Sequence, residues 1–320
     1  MSSETKSYAS NAGIRAVQDY LTDLDLCAEI ERSEISPTVY RVRYLLPLKP
    51  KVSIIIFSNG KSEDLKRCLS SIVTKSVYDN YEIIIVRDEA LDLLPLSFYD
   101  EIAENQERVS YLNCKADGNR STMAELAVKE AKGEMLVFLN CAAEIISTDW
   151  IEELLMHFQR QDVGVVGGKL YYPDGTICHA GYAIGFDGMF IKAFWNHLGN
   201  EPGYLDMLEY VRDVTAVSSD CMMIRKSLYK HLNGFDPVFS YPLSDIDLSL
   251  RLRALGKLIV WTPYAEAFCH IHKDRQIIDD YSNGPQKQEF IRRWAAELSK
   301  GDPYYDSDQI LSQMEWYEHN

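Results

Sequence analysis

The sequence predicts an α/β fold: a mostly parallel central sheet with helices on both faces. Three observations predict it. Near-continuous apolar runs, Val52 to Ile56, Ile83 to Val86 and Met135 to Leu139, have the composition of strands covered on both faces. Between these runs lie stretches with helical spacing, and strict alternation of the two calls for crossover connections. The chain has 320 residues, 46% of them hydrophobic, which is enough to bury such a sheet.

The elements follow in order. Ile14, Val17, Leu21 and Leu24 recur at helical spacing, and Ser36 to Leu46 reads as extended, before Pro47 and Pro50 interrupt the chain. Residues 1–50 are therefore expected to form a small helix-and-strand appendage. Strand Val52 to Ile56 leads through Phe57-Ser58-Asn59-Gly60 into a helix from Ser62, its expected cap, to Lys75. Strand Glu82 to Val86 follows, with Arg87 and Asp88 in its exit loop. A weaker strand at Val109 to Leu112 precedes a helix from Ser121 to Lys132, where Gly133 is expected as a C-cap glycine. Strand Met135 to Leu139 ends at Asn140-Cys141-Ala142, the end of a parallel strand at which ligands bind. Beyond it come helix Asp149 to Gln161, strand Val163 to Gly168, shaped loops from Lys169 to Tyr210, strand Cys221 to Ile224, helix Asp245 to Leu255 and strand Leu258 to Trp261. A helix near Gln286 to Leu298 is expected to pack back on the body, in a tail covering residues 276–320.

The net charge of −15 disfavours nucleic acid and anionic lipid as partners. Seven cysteines without Cys-x-x-Cys spacing suit reduced thiols in a cytoplasmic protein. The amino terminus has no basic region followed by an apolar core, and no run approaches the length of a membrane span, so no targeting signal or transmembrane segment is expected.

The order of short motifs then resembles the family 2 glycosyltransferases, over about residues 51–275. The pieces are Lys51 to Ile56, Tyr81 to Val86, Ala131-Lys132-Gly133-Glu134, Phe138-Leu139-Asn140 and Asp149-Trp150-Ile151. They continue with Tyr172-Pro173-Asp174-Gly175, His179-Ala180-Gly181, Asn233-Gly234-Phe235-Asp236 and Asp245-Ile246-Asp247-Leu248. The Pro-Asp-Gly and His-Ala-Gly pieces look like bacterial members of surface-polysaccharide assembly, some rhamnose-rich. The resemblance implies a GT-A, Rossmann-like fold and an inverting transfer of a hexosyl or deoxyhexosyl unit from a nucleotide sugar to a glycan acceptor. The expected location is cytoplasmic, peripheral to the membrane through partners, with another glycosyltransferase as an expected partner.

Carried over residue by residue, the resemblance makes Asp245 the catalytic base. The alternative is that Asp245 and Ser244 cap the following helix. Ser58, Asp88 and Asn140 fall on the nucleotide-sugar side, and Arg87 and Arg120 are guanidinium groups that can bind the diphosphate directly in place of a metal, the bland reading of both being solvated surface. Asp220 falls on the acceptor side, at a place that looks small in relatives. His270 falls at a metal ligand; His272, two residues on, would share its side of an extended segment. The resemblance also implies a divalent metal, Mn or Mg, bridging the diphosphate. Its Asp-x-Asp-like element aligns with Asn140-Cys141-Ala142, so Ala142 stands where the ligand carboxylate belongs. That departure supports a second expectation, a catalytically impaired glycosyltransferase-like module that binds a partner enzyme or glycan. A Rossmann oxidoreductase is disfavoured, since no Gly-x-Gly-x-x-Gly appears.

Overall fold

The computed structural model describes residues 3–33, 39–185, 190–273, 284–306 and 308–309. Helix α1 (Ser3–Asp23) leads into an antiparallel hairpin of β1 (Ala28–Arg32) and β2 (Tyr40–Tyr44). The start of the extended stretch expected from Ser36 lies outside the described residues. The body then runs β3 (Val52–Phe57), α2 (Ser62–Lys75), β4 (Tyr81–Asp88), α3 (Leu96–Asn105), β5 (Val109–Cys114), α4 (Arg120–Glu130) and β6 (Met135–Asn140). Its second half adds β7 (Ala143–Ile145), α5 (Trp150–Leu155), β8 (Val163–Tyr171), β9 (Ile177–His179), β10 (Tyr182–Ile184) and β11 (Phe190–Lys192). It closes with β12 (Arg212–Asp213), β13 (Cys221–Arg225), α6 (Lys226–His231), α7 (Leu243–Ala254), β14 (Leu258–Cys269) and α8 (Pro285–Leu298).

The main sheet has the order β12-β14-β8-β13-β6-β3-β4-β5. Strands β6, β3, β4 and β5 are parallel neighbours, as are β8 and β14. Between these blocks β13 runs antiparallel to both β6 and β8. Residues alternate between the faces: Ile54 and Ile56 of β3 join Leu65, Ile72, Trp150 and Leu154 of α2 and α5 on one side. Ile55 and Phe57 join Met123, Ala127, Leu248 and Leu252 of α4 and α7 on the other. Both faces are thus covered, the condition that the apolar runs require.

Several local expectations change. Ser62 does not cap α2: the N-cap is Lys61, with no side-chain cap hydrogen bond. Helix α4 ends at Ala131 rather than on a left-handed glycine. Gly133 is needed for a different reason, since a Cβ there would lie 2.6 Å from the Ser53 nitrogen and 2.7 Å from the Lys51 oxygen of the chain entering β3. The expected helix 149–161 tightens after Leu155 into a 3₁₀ turn, Met156–Gln159. The expected loops of 169–210 include β9, β10 and β11, too short for a periodic signal. Helix α8 packs back, with Phe290 buried and the Trp294 indole donating to Asp247 at 3.1 Å.

Candidate active site

The antiparallel strand determines which residues meet. Because β13 runs against β6, its beginning lies at the end of β6, and the Asn140 backbone N–H donates to the Asp220 carbonyl at 3.0 Å. A cavity of about 260 Å³ opens at this junction, lined by Asn59, Lys61, Asp64, Asn140, Asp220 and Tyr241 together with His270, Ile271 and His272. A larger concavity of about 960 Å³ lies between Leu46–Pro50, Gly133–Met135 and Arg225–Lys230. It opens at the beginnings of β3 and β6. The smaller cavity is the better candidate, because ligands in α/β sheets bind at the carboxyl ends of the strands.

Behind the cavity stands a buried charged cluster. The Arg120 guanidinium lies between the rings of Phe57 and Tyr241, 5.3 and 4.5 Å from their centroids. It donates to the Ser219 hydroxyl at 3.1 Å and stands 4.0 Å from Asp220 Oδ1. Asp220 also accepts from Asn140 Nδ2 at 2.8 Å and from the Tyr241 hydroxyl at 2.6 Å. Burial raises the Asp220 pKa, but Arg120, Tyr241 and Asn140 outweigh it and hold the carboxyl below the usual range. Asp245, fully buried, accepts from the Ser219 backbone N–H at 2.7 Å and from the Ser244 hydroxyl at 3.3 Å. Burial, with the charge of Asp220 adding to it, lifts Asp245 to about 6 against the pull of Arg120 and the Ser219 N–H. Neither Ser244 nor Asp245 caps α7, whose N-cap is Pro242. Asp247 is fixed instead by Arg251 at 2.7 Å and by the Trp294 indole.

The residues at the ends of β3 and β4 face inward. The Ser58 hydroxyl donates to Asp92 and stands 2.8 Å from the Tyr99 hydroxyl, which also donates to Asp92. Arg87 donates to the carbonyls of Asp92 and Leu94 at 2.9 and 3.2 Å and to Asn113 at 3.3 Å. Asp88 accepts backbone N–H groups of Gly118, Ala90 and Ala116 at 2.6, 3.1 and 3.3 Å. Those amides outweigh its burial and keep its pKa below the usual range. These three side chains fasten the loops that follow β4 and β5. The structure brings Asn140, Asp220 and His270 to one cavity, sets Arg120 and Asp245 behind it, and turns Ser58, Arg87 and Asp88 toward the loops that follow β4 and β5.

The model for the family described as "Glycosyltransferase like family 2" matches residues 50–283. The chain belongs to that family. It is 30% identical over 98% of its length to "Uncharacterized protein y4gI" of Sinorhizobium fredii (strain NBRC 101917 / NGR234). It is 30% identical over 95% of its length to "O-antigen biosynthesis protein RfbC" of Myxococcus xanthus. It spans 36% and 24% of those two proteins. Among solved structures, GalNAc-T7 with UDP, GalNAc and Mn²⁺ superposes with a TM-score of 0.60 at 14% identity, covering 84% of this chain and 55% of that one. That likeness supports the GT-A glycosyltransferase fold.

Family 2 members of this fold would present carboxylates to a divalent ion where this chain has Asn140-Cys141-Ala142. Both ends of the Asn140 amide are engaged, Nδ2 by Asp220 and Oδ1 by the Ala142 N–H at 2.8 Å. Burial pushes the Cys141 thiol up to about 12. His270 Nε2 lies 2.8 Å from Glu144 Oε2, a pair rather than a ligand set. Among the described residues no group of three His, Cys, Asp or Glu side chains could hold a metal. A divalent ion on a diphosphate needs one or two protein carboxylates beside water and phosphate oxygens. The two in this cavity, Asp64 and Asp220, are already engaged by Asn59 and Arg67 and by Arg120, Asn140 and Tyr241, so the residues as arranged fit such an ion poorly.

Sequence reasoning missed Asn59, Lys61, Asp64 and Tyr241. The first three lie in or just after the loop leaving β3, and the rule that ligands bind at the carboxyl ends of parallel strands could have flagged them. Tyr241 carries no signal of its own, because it reaches the cavity through the turn before α7.

Proposed function

We propose that this chain is the catalytic unit of an inverting glycosyltransferase that moves a hexosyl or deoxyhexosyl group from a nucleotide sugar to a surface-polysaccharide acceptor. The observation that carries the reading is the family 2 match over residues 50–283 together with the buried carboxyl of Asp245 beside the cavity. In the single displacement, an acceptor hydroxyl oxygen bonds to the anomeric carbon while the bond from that carbon to the diphosphate oxygen breaks. The nucleoside diphosphate leaves with the electron pair, and the hydroxyl proton passes to Asp245. A pKa of about 6 leaves Asp245 mostly ionised at neutral pH yet basic enough to accept that proton. Asp245 has no exposed surface, whereas Tyr241 and Asp220 line the cavity. Proton transfer therefore requires the segment carrying Tyr241 to open as acceptor enters, with Asp220 binding an acceptor hydroxyl. Residues 51–275 are the transferase unit in this reading, with residues 1–50 an appendage and 276–320 a tail. The acceptor is a growing glycan, and the chain acts beside another glycosyltransferase. Among the described residues no helix is long and apolar enough to cross a membrane.

A second reading rests on the loss of carboxylates at Asn140-Cys141-Ala142: a glycosyltransferase-like module that binds a glycan or partner enzyme without turnover. Incubation with a panel of nucleotide sugars and glycan acceptors separates the two. Acceptor-dependent release of nucleoside diphosphate supports the transferase. Its absence across the panel, with glycan binding retained, favours the module.

A further inference from the structure

We propose that this chain holds the diphosphate of its nucleotide ligand without a divalent ion, using the Lys61 ammonium and the His272 imidazole at the mouth of the cavity; this rests on the glycosyltransferase reading. The argument begins with the cavity's charges. Asp64 has its own donors, Arg67 at 3.2 Å and Asn59 at 3.1 Å. Asp220 has Arg120, Asn140 and Tyr241, and Glu144 has His270. Each carboxylate at or beside the cavity is thus compensated within the protein. Lys61 and His272 are exposed, line the cavity, and have no ion-pair partner among the described residues. They are the donors still available to an anion there. An ammonium brings three N–H donors and a full charge on a flexible stem, and either imidazole tautomer brings a further N–H.

The other cations do not compete for this role. Arg87 is committed to the carbonyls of Asp92 and Leu94. Arg120 faces two buried carboxylates and is covered by the rings of Phe57 and Tyr241. A diphosphate drawn to Arg120 would enter beside Asp220, where like charge opposes it. At Lys61 it would sit at the rim, beside the Asn59 amide and at the end of β3. The geometry also explains why Asn140-Cys141-Ala142 can lack carboxylates. Added carboxylates would repel a diphosphate that no metal shields, whereas Asn140 is neutral and donates a hydrogen bond to Asp220.

The test is calorimetric titration of the full chain with UDP, GDP and dTDP, in EDTA and then with Mn²⁺ or Mg²⁺ added. The expected result is binding of at least one of them in EDTA, changed less than about threefold by metal. Lys61→Ala should weaken it about tenfold, the scale of one hydrogen bond to a charged group. His272→Ala should weaken it less. Lys61 and His272 are both exposed, so these variants keep the fold, which circular dichroism checks. Binding that appears only with metal overturns the inference and leaves the transferase reading standing, as does metal-free binding unchanged in Lys61→Ala. No binding of any nucleotide under either condition overturns both.

Discussion

The two halves of the site treat their polar residues in opposite ways. At the ends of β3 and β4, Ser58, Asp88, Arg87 and Asp92 are satisfied by backbone groups and side chains of the loops after β4 and β5. At the junction of β6, β13 and α7, Arg120, Asp220 and Asp245 depend on one another, with one guanidinium serving two buried carboxyls. The first half is a set of fasteners that tie neighbouring loops together and share no partner with the Arg120 cluster. The second is an electrostatically coupled unit in which a change at one member alters the proton affinity of the rest. A site that must move a proton belongs in the second kind of region, and a site that must keep its shape belongs on the first.

The largest break in this comparison comes from Arg120→Met. It leaves Asp220 and Asp245 buried without their cation, and loss of one partner from a buried ionic group costs about 3–5 kcal/mol. Urea unfolding at pH 8 is expected to show that loss. At pH 5 the loss shrinks, because both carboxyls, freed of Arg120, have raised pKa values and take up protons.

The next effect is the wild-type dependence of stability on pH. Asp245 is raised from 3.8 to about 6 in the folded chain, so between these values the folded state binds more protons than the unfolded state. Its contribution is fully present below about pH 4 and is lost as pH rises through 6. At 1.36 kcal/mol per unit, this is about 3 kcal/mol. Asp245→Asn removes that segment of the curve while keeping an oxygen for the Ser219 N–H. An unchanged slope between pH 4 and 6 in the variant would assign the titration elsewhere.

The smallest effect sharpens the contrast from the other side. Asp88→Asn weakens the acceptor of three backbone amides and is expected to cost about 1–2 kcal/mol. Because Asp88 shares no partner with the Arg120 cluster, the double variant Asp88→Asn/Arg120→Met should be additive within about 0.5 kcal/mol. Coupling above that size would show that the halves are not independent.

The sequence reveals these regions unequally. The sheet is legible because strands buried on both faces must be apolar: Ile54, Val137 and Leu139 announce their environment by composition alone. Helix α3 is not, since only Tyr99 is buried and its apolar stripe, Phe98, Tyr99 and Ile102, spans little more than one turn. Gly133 is visible as a glycine, but its role depends on the Ser53 backbone, 80 residues away in the chain. The same limit applies to the site. Asp245 and Asp220 can be marked from motif order, yet their shared Arg120 is a contact across 99 residues, from α4 to the turn before β13. That Ser58, Arg87 and Asp88 face the loops after β4 and β5 cannot be read from residue type, because a carboxylate that binds a nucleoside and one that binds three amides look alike in one dimension.

The central claim, that the coupled half performs the chemistry, is tested most directly by nucleoside diphosphate release from the wild type and Asp245→Asn, each with its active sugar donor and acceptor. The prediction is a fall of about a hundred- to ten-thousand-fold in turnover with nucleotide affinity unchanged. The wild-type rate should rise with pH through about 6 as Asp245 ionises. Equal turnover in the two proteins would contradict the account.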